Sequence, residues 1–300
     1  MTTTAPVLCP LKGVRIVSLA LNLPGPAALM RCQQMGASCT KFEPPSGDPM
    51  RLYNPATYAA LHSGVRVSQA DLKTAAGQAK LHKALGKADV LLTSFRPSAL
   101  AKLGLNFKVL HKQYPQLCQV AIVGGEGAHA EEPGHDLTYL AEHGLVAGLD
   151  LPATLYADMS GSVMASEAVL GVLMQRAATG KNKFVGKFVE IALSSAAAYL
   201  ALPRLWGLTV PGAAVGGGHA GYQMYACKDG RVAVAALEPH FAARLCAAAG
   251  LKAVSSQHMF EAKTRRHLAK YFNGQTCADA AALGVAHDIP LHAIPDHVTN

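Results

Sequence analysis

The chain has 300 residues, half of them hydrophobic, and a formal net charge of +8 with a pI near 9.1. That much apolar material suits a large core in one or two domains, and no apolar run approaches the roughly 18 residues that a membrane span needs. The basic balance suits an anionic, phosphate-bearing small molecule; lysines and arginines do not cluster and no nucleic-acid motif occurs, so neither nucleic acid nor membrane is expected as a partner.

The first thirteen residues, MTTTAPVLCPLKG, lack a charged start followed by an apolar stretch, so no secretory leader is expected. The seven cysteines, Cys9, Cys32, Cys39, Cys118, Cys227, Cys246 and Cys277, are odd in number and never spaced as C-x-x-C. They read as reduced thiols of a cytoplasmic protein, with no disulfide framework and no metal site. Residues 13–19 are apolar and β-branched, which predicts a strand. Pro24-Gly25-Pro26 breaks it, and a helix of small residues follows over 27–35. Residues 38–42 read as a strand, 43–49 as a turn-rich loop, 72–86 as a helix and 89–95 as a buried strand. Two short helices and a strand over 117–123 continue the alternation, which predicts a parallel sheet with helices on its faces. Ligands of such sheets sit at the carboxyl ends of the strands. A long helix is expected over 159–178, with Asp158 or the preceding turn at its start, then a strand over 185–193 and a helix over 194–205. The Gly-rich stretch 211–221 reads as a linker or mobile loop. A hairpin over 222–227 and 231–237 follows, and helices dominate to the end. The expected organisation is a large α/β domain over 1–204 and a smaller α+β domain over 205–300.

Four constellations are candidates for chemistry. Gly134-His135-Asp136 follows a strand end, where sites gather. Asp158 stands before the long helix, where an Asp is also an ordinary N-cap. Glu238, before Pro239 and His240, is a carboxylate at a strand end. Ser94-Phe95-Arg96-Pro97, with Lys102 beyond, is either a binding loop or a solvated strand end.

In order along the chain these segments resemble the family that holds the family III CoA-transferases and the α-methylacyl-CoA racemases, the CaiB/BaiF-like proteins. The resemblance rests on Pro10-Leu11-Lys12-Gly13-Val14-Arg15-Ile16-Val17 with Pro24-Gly25-Pro26, and on Lys41-Phe42-Glu43-Pro44-Pro45 with Gly47-Asp48-Pro49. It continues through Asp71-Leu72-Lys73, Phe95-Arg96-Pro97, Gly134-His135-Asp136, Tyr156-Ala157-Asp158, Thr179-Gly180-Lys181, Asp229-Gly230 and Glu238-Pro239. It implies a Rossmann-like domain plus a small domain in an interlocked homodimer, acting on acyl-coenzyme A thioesters. It further implies that Asp158 is the central catalytic residue. In the transferases the matching Asp attacks the acyl-CoA to give an aspartyl-CoA thioester. In the racemases it shares α-proton transfer with the residue matching His135, and the Glu matching Glu238 supports the imidazolium. Lys73, Phe95, Arg96 and Lys102 match positions that bind coenzyme A.

Gly134-His135-Asp136 and the segment 216–222 resemble the racemases, which favours α-proton chemistry with His135 and Asp158. Carboxylate-to-carboxylate CoA transfer through Asp158 is the alternative. Several departures from the family pattern keep open a third reading, a degenerate CoA-binding member. The connection from His135 to Asp158 is short, Val123-Gly124-Gly125-Glu126-Gly127 replaces a Ser-Gly-Phe-Gly pattern, and Leu61-His62-Ser63-Gly64-Val65-Arg66 replaces an Asn-Arg-Gly-Lys-like stretch. The sequence also stops at Asn300, before the segment that in the family returns to the first domain.

Overall fold

Alternating strand-forming and helix-forming segments build most of the first of two units, Met1–Ala201 and Leu202–Asn300, in a computed structural model that describes residues 8–180, 182–251 and 255–296. Lys181 of the sequence pattern and residues 1–7 of the N-terminal stretch lie outside the described residues. In chain order the elements are β1 (Arg15–Ser18), α1 (Pro24–Gln34), β2 (Ser38–Glu43), α2 (Met50–Tyr53), α3 (Pro55–Leu61), β3 (Arg66–Gln69), α4 (Ala75–Leu85) and β4 (Val90–Thr93). Then come α5 (Pro97–Lys102), α6 (Phe107–Gln113), β5 (Cys118–Val123), α7 (Asp136–Glu142), α8 (Tyr156–Thr179), β6 (Phe188–Ala192) and α9 (Leu193–Leu205).

The six strands pair in parallel in the order β3-β2-β1-β4-β5-β6. This is the doubly wound order, whose direction of winding reverses between β1 and β4. Because side chains alternate across a strand, each central strand feeds two cores. Ile16, Val90, Leu92, Val120 and Ile122 pack in one cluster with residues of α1 and α8. Val17, Leu91 and Phe42 pack in another with Leu81, Leu85, Leu100 and Leu110. Burial on both faces is why β4 and β5 read as mostly apolar runs, interrupted only by the buried Thr93 and Gln119.

Two expectations are corrected in this unit. The first helix starts at Pro24 and not at Ala27, so Pro24-Gly25-Pro26 forms its first turn: a first-turn N–H has no partner within the helix, so proline loses nothing there. Gly25 is required, because a Cβ would stand 2.1 Å from the Cβ of Ala20. The long helix begins earlier than expected, at Tyr156, so Asp158 lies inside its first turn and not at its cap. Helices α2 and α3 and the edge strand β3 carry a weak sequence signal, being short and largely exposed.

The second unit holds β7 (Tyr222–Cys227), β8 (Gly230–Ala235), α10 (Pro239–Ala248), α11 (Ala262–Asn273), α12 (Cys277–His287) and β9 (Leu291–Pro295), with an antiparallel sheet β7-β8-β9. Its core gathers Val232, Val234, Leu245, Leu268 and Phe272, and the Tyr225 ring stacks on Phe272 at 5.3 Å. The unit does not run to its end in helices, because β9 returns to pair with β8. The Gly-rich stretch is a pinned turn and not a linker. Arg265 and Gln223 both donate to the Gly217 carbonyl, at 2.7 and 2.6 Å, and a Cβ on Gly216 would meet the Val210 carbonyl oxygen at 1.9 Å.

Candidate active site

The ends of β1, β4 and β5 open into a cavity of about 730 Å³ in the first unit. It lies where the winding reverses, the place at which open α/β sheets bind ligands. Leu21, Asn22, Leu23 and Pro24 line it after β1, Ser94, Phe95 and Arg96 after β4, and Val123 and Gly124 from β5. Gly134, His135, Asp136 and Tyr139 close it from the start of α7, and Leu155 and Asp158 from the start of α8.

Two helix starts set the polar groups. His135 is the N-cap of α7. Its N–H donates to Thr138 Oγ1 at 3.1 Å, and that hydroxyl donates back to the His135 carbonyl at 2.7 Å, which anchors the backbone and leaves the imidazole exposed. Asp136 is buried, and its Oδ1 accepts the Asp158 N–H at 2.9 Å. An N–H in the first turn of α8 has no partner within the helix, so the α7 carboxylate caps α8 from outside. The same bond fixes Asp158 beside the start of α7. Asp158 itself is half-buried. Burial, and then the neighbouring Asp136 charge, push its carboxyl up to about 6, with His135 opposing. The Asp158 carboxylate makes no side-chain hydrogen bond among the described residues.

Of the residues expected at the site, His135, Asp158, Phe95 and Arg96 line this one cavity. Phe95 is half-buried against the core under β4, and Arg96 is the exposed N-cap of α5. Lys102, in the last turn of α5, and Lys73, before α4, are exposed and are not among the lining residues. Glu238 belongs to the second unit, as the exposed N-cap of α10. Sequence reasoning did not pick out Asn22, Tyr53 or Tyr139. Tyr139 stands four residues after His135, one turn along α7, and that spacing was the available signal.

A buried ionic cluster braces the wall of the cavity. The Lys41 ammonium, fully buried in β2, contacts the Asp48 carboxylate, Glu43 Oε1 at 3.2 Å and His62 Nε2 at 2.8 Å. His62 Nδ1 lies 2.6 Å from the Tyr58 carbonyl, which can only accept. Nδ1 therefore carries the proton and Nε2 accepts from Lys41. Glu43, Asp48 and His62 are spaced like a metal-ligand set, but the lysine ammonium already stands among their ligand atoms as the cation. Asp48 in turn accepts the N–H of Asn22 at 3.1 Å and that of Met50 at 2.9 Å. Asn22 has φ +64, a left-handed conformation that Asn tolerates better than most residues, and the Asp48 bond holds it there against the cavity.

The sequence model of CoA-transferase family III matches residues 11–297 of the chain. The chain is 30% identical over 213 residues to the cinnamoyl-CoA:phenyllactate CoA-transferase of Clostridium sporogenes, covering 62% of this chain and 50% of that protein. It is 29% identical over 260 residues to the human alpha-methylacyl-CoA racemase, covering 81% of this chain and 65% of that one. A solved structure of a hypothetical protein from Mycobacterium tuberculosis superposes with a TM-score of 0.81 at 25% identity, covering 98% of this chain and 86% of that one. The chain spans about half the length of the first curated relatives it matches, 50% and 53%.

Proposed function

The chain belongs to CoA-transferase family III, and from that premise we propose that its cavity binds an acyl-CoA thioester and moves the α-proton, as an alpha-methylacyl-CoA racemase does. The observation that carries this is the meeting of His135 and Asp158 in one cavity at the sheet's switch point. The α-carbon of a thioester is weakly acidic, so its proton must pass to a base held within reach, while the electron pair moves onto the carbonyl oxygen as an enolate. A carboxyl raised to about 6 is ionised enough near neutral pH to accept the proton and protonated enough to return it. The imidazole of His135 supplies the second acid–base group, so that one group deprotonates one face and the other reprotonates the opposite face. Phe95 and Arg96 offer an apolar surface and a cation for the nucleotide end of coenzyme A.

A second reading has a specific observation behind it. The Asp158 carboxylate has no side-chain hydrogen bond among the described residues, which leaves it available to attack a thioester carbon and expel CoA thiolate. One experiment separates the readings. The protein is incubated with a 2-methylacyl-CoA in D2O, and α-deuterium incorporation is followed in parallel with CoA transfer to free carboxylates. Exchange without transfer supports the proposal, and transfer without exchange replaces it by the transferase reading. CoA binding with neither activity assigns a degenerate member.

A further inference from the structure

We propose that the Tyr139 hydroxyl is a catalytic hydrogen-bond donor to the thioester carbonyl oxygen, stabilising the negative charge that develops there. The inference rests on the reading of the cavity as an acyl-CoA site, and it adds to it the group that takes the oxyanion.

Three observations carry it. First, the hydroxyl is placed and not merely accommodated. Tyr139 is only 9% exposed and lines the cavity. Its hydroxyl lies 2.5 Å from where a Cβ on Gly124 would stand and 2.6 Å from where one on Gly134 would stand. Two glycines, one at the end of β5 and one before α7, thus leave the slot in which the phenol oxygen sits. Second, the hydroxyl has no hydrogen-bond partner among the described residues. It is also absent from the buried side-chain atoms that are sealed off without a partner, Thr93 Oγ1, His111 Nδ1 and Gln119 Oε1. The oxygen therefore keeps access to solvent, and a donor with no protein partner on the lining of a ligand cavity is available to bond a ligand acceptor. Third, the hydroxyl stands within electrostatic reach of Asp158. Burial, and then the Asp158 charge, raise the phenol above its ordinary value of 10, which keeps the O–H intact at neutral pH. A neutral donor stabilises an oxyanion without the charge that would compete with Asp158 or His135 for the proton in transit.

The step balances on the groups named. Asp158 or His135 takes the α-proton and the C–H electron pair becomes the enolate π bond. The carbonyl π pair moves onto oxygen, where Tyr139 donates a hydrogen bond without transferring its proton. Reprotonation at carbon by the opposite group reverses each shift. If the chemistry is acyl transfer to Asp158, the same oxygen becomes the tetrahedral oxyanion and receives the same bond.

The test compares wild type with Tyr139→Phe, which removes one oxygen from the slot. A 2-methylacyl-CoA labelled with 13C at the thioester carbonyl is bound to each protein, and the carbonyl band is read by isotope-edited infrared difference spectroscopy. The wild-type band is expected at lower frequency than the variant's. The kcat for exchange or transfer should fall about 100- to 1,000-fold, the scale of losing one oxyanion donor, with KM changed less than about threefold. Identical bands with kcat within threefold would overturn the role of Tyr139 and leave the acyl-CoA reading standing. No binding of the thioester to wild type would remove that reading and the inference with it. A Tyr139-dependent band in a wild type lacking both exchange and transfer would keep the donor and remove the proposed turnover. If Tyr139→Phe does not fold, 3-fluorotyrosine at position 139, a more acidic donor, should lower the band further, and an unchanged band would count against the proposal.

Discussion

Replacing Asp158 by Asn should abolish turnover and at the same time stabilise the first unit above neutral pH. The carboxyl is lifted from its ordinary 3.8 to about 6, first by burial and then by the Asp136 charge. At about 1.4 kcal/mol for each tenfold change in proton affinity, that difference corresponds to about 3 kcal/mol. Solvent reaching the half-buried carboxyl reduces the expected effect to about 2 kcal/mol. A carboxyl whose folded pKa lies above its unfolded one binds its proton more tightly when folded. Its stability contribution is therefore complete below about 3.8 and is lost as pH rises through about 6, where the folded state must carry a disfavoured charge. Asn carries no charge at any pH, so Asp158→Asn should match wild type near pH 4 and exceed it at pH 8. In a unit of about 200 residues, 2 kcal/mol raises the melting temperature by about 4–8 °C. Calorimetry of both proteins at pH 4 and pH 8 reads this directly. A variant that melts at or below wild type at pH 8, or whose advantage is the same at both pH values, would refute the account of Asp158 as a carboxylate held in an unfavourable place for chemistry.

Lys41→Met should destabilise the first unit by about 3–5 kcal/mol, because it strands the buried Glu43 and Asp48 charges. Combined with Asp48→Asn, part of the loss should return, and additive losses in denaturant titrations would show that the two side chains do not act as a unit. Free CoA should raise the melting temperature by mass action. Arg96→Ala should cut that shift more than Lys102→Ala, since Arg96 lines the cavity and Lys102 does not; equal effects in thermal-shift assays would place the nucleotide elsewhere. Gly134→Ala should cost about 1–3 kcal/mol, since its Cβ would meet the Tyr139 hydroxyl at 2.6 Å. Wild-type stability by urea unfolding would mean that the slot around that hydroxyl is loose.

The order of strands and helices in the first unit was legible because β4 and β5 are mostly apolar and α8 is long. Two-sided burial writes itself into composition, and the doubly wound sheet follows from the alternation. His135 and Asp158 were singled out through resemblance, and each stands near the start of a helix that opens on the cavity at the sheet's carboxyl edge. What remained hidden was set by contacts between distant segments. The cap that begins α8 at Tyr156 comes from Asp136, 22 residues before Asp158, so no local cap marked that start. The strand β9 is a strand because β8 offers it an edge, and the Gly-rich stretch is pinned because Arg265, 48 residues on, donates to Gly217. Lys41, Glu43, Asp48 and His62 read as separate motif positions until folding brought them into a single ionic cluster behind Asn22. Sequence determined which segments can be strand or helix, because that depends on the periodicity of each segment. Tertiary structure decided where those four side chains, Asp136 and Tyr139 are placed, because charge pairing, a cap supplied by a distant segment and a slot between two glycines exist only when residues far apart in the chain are close in space.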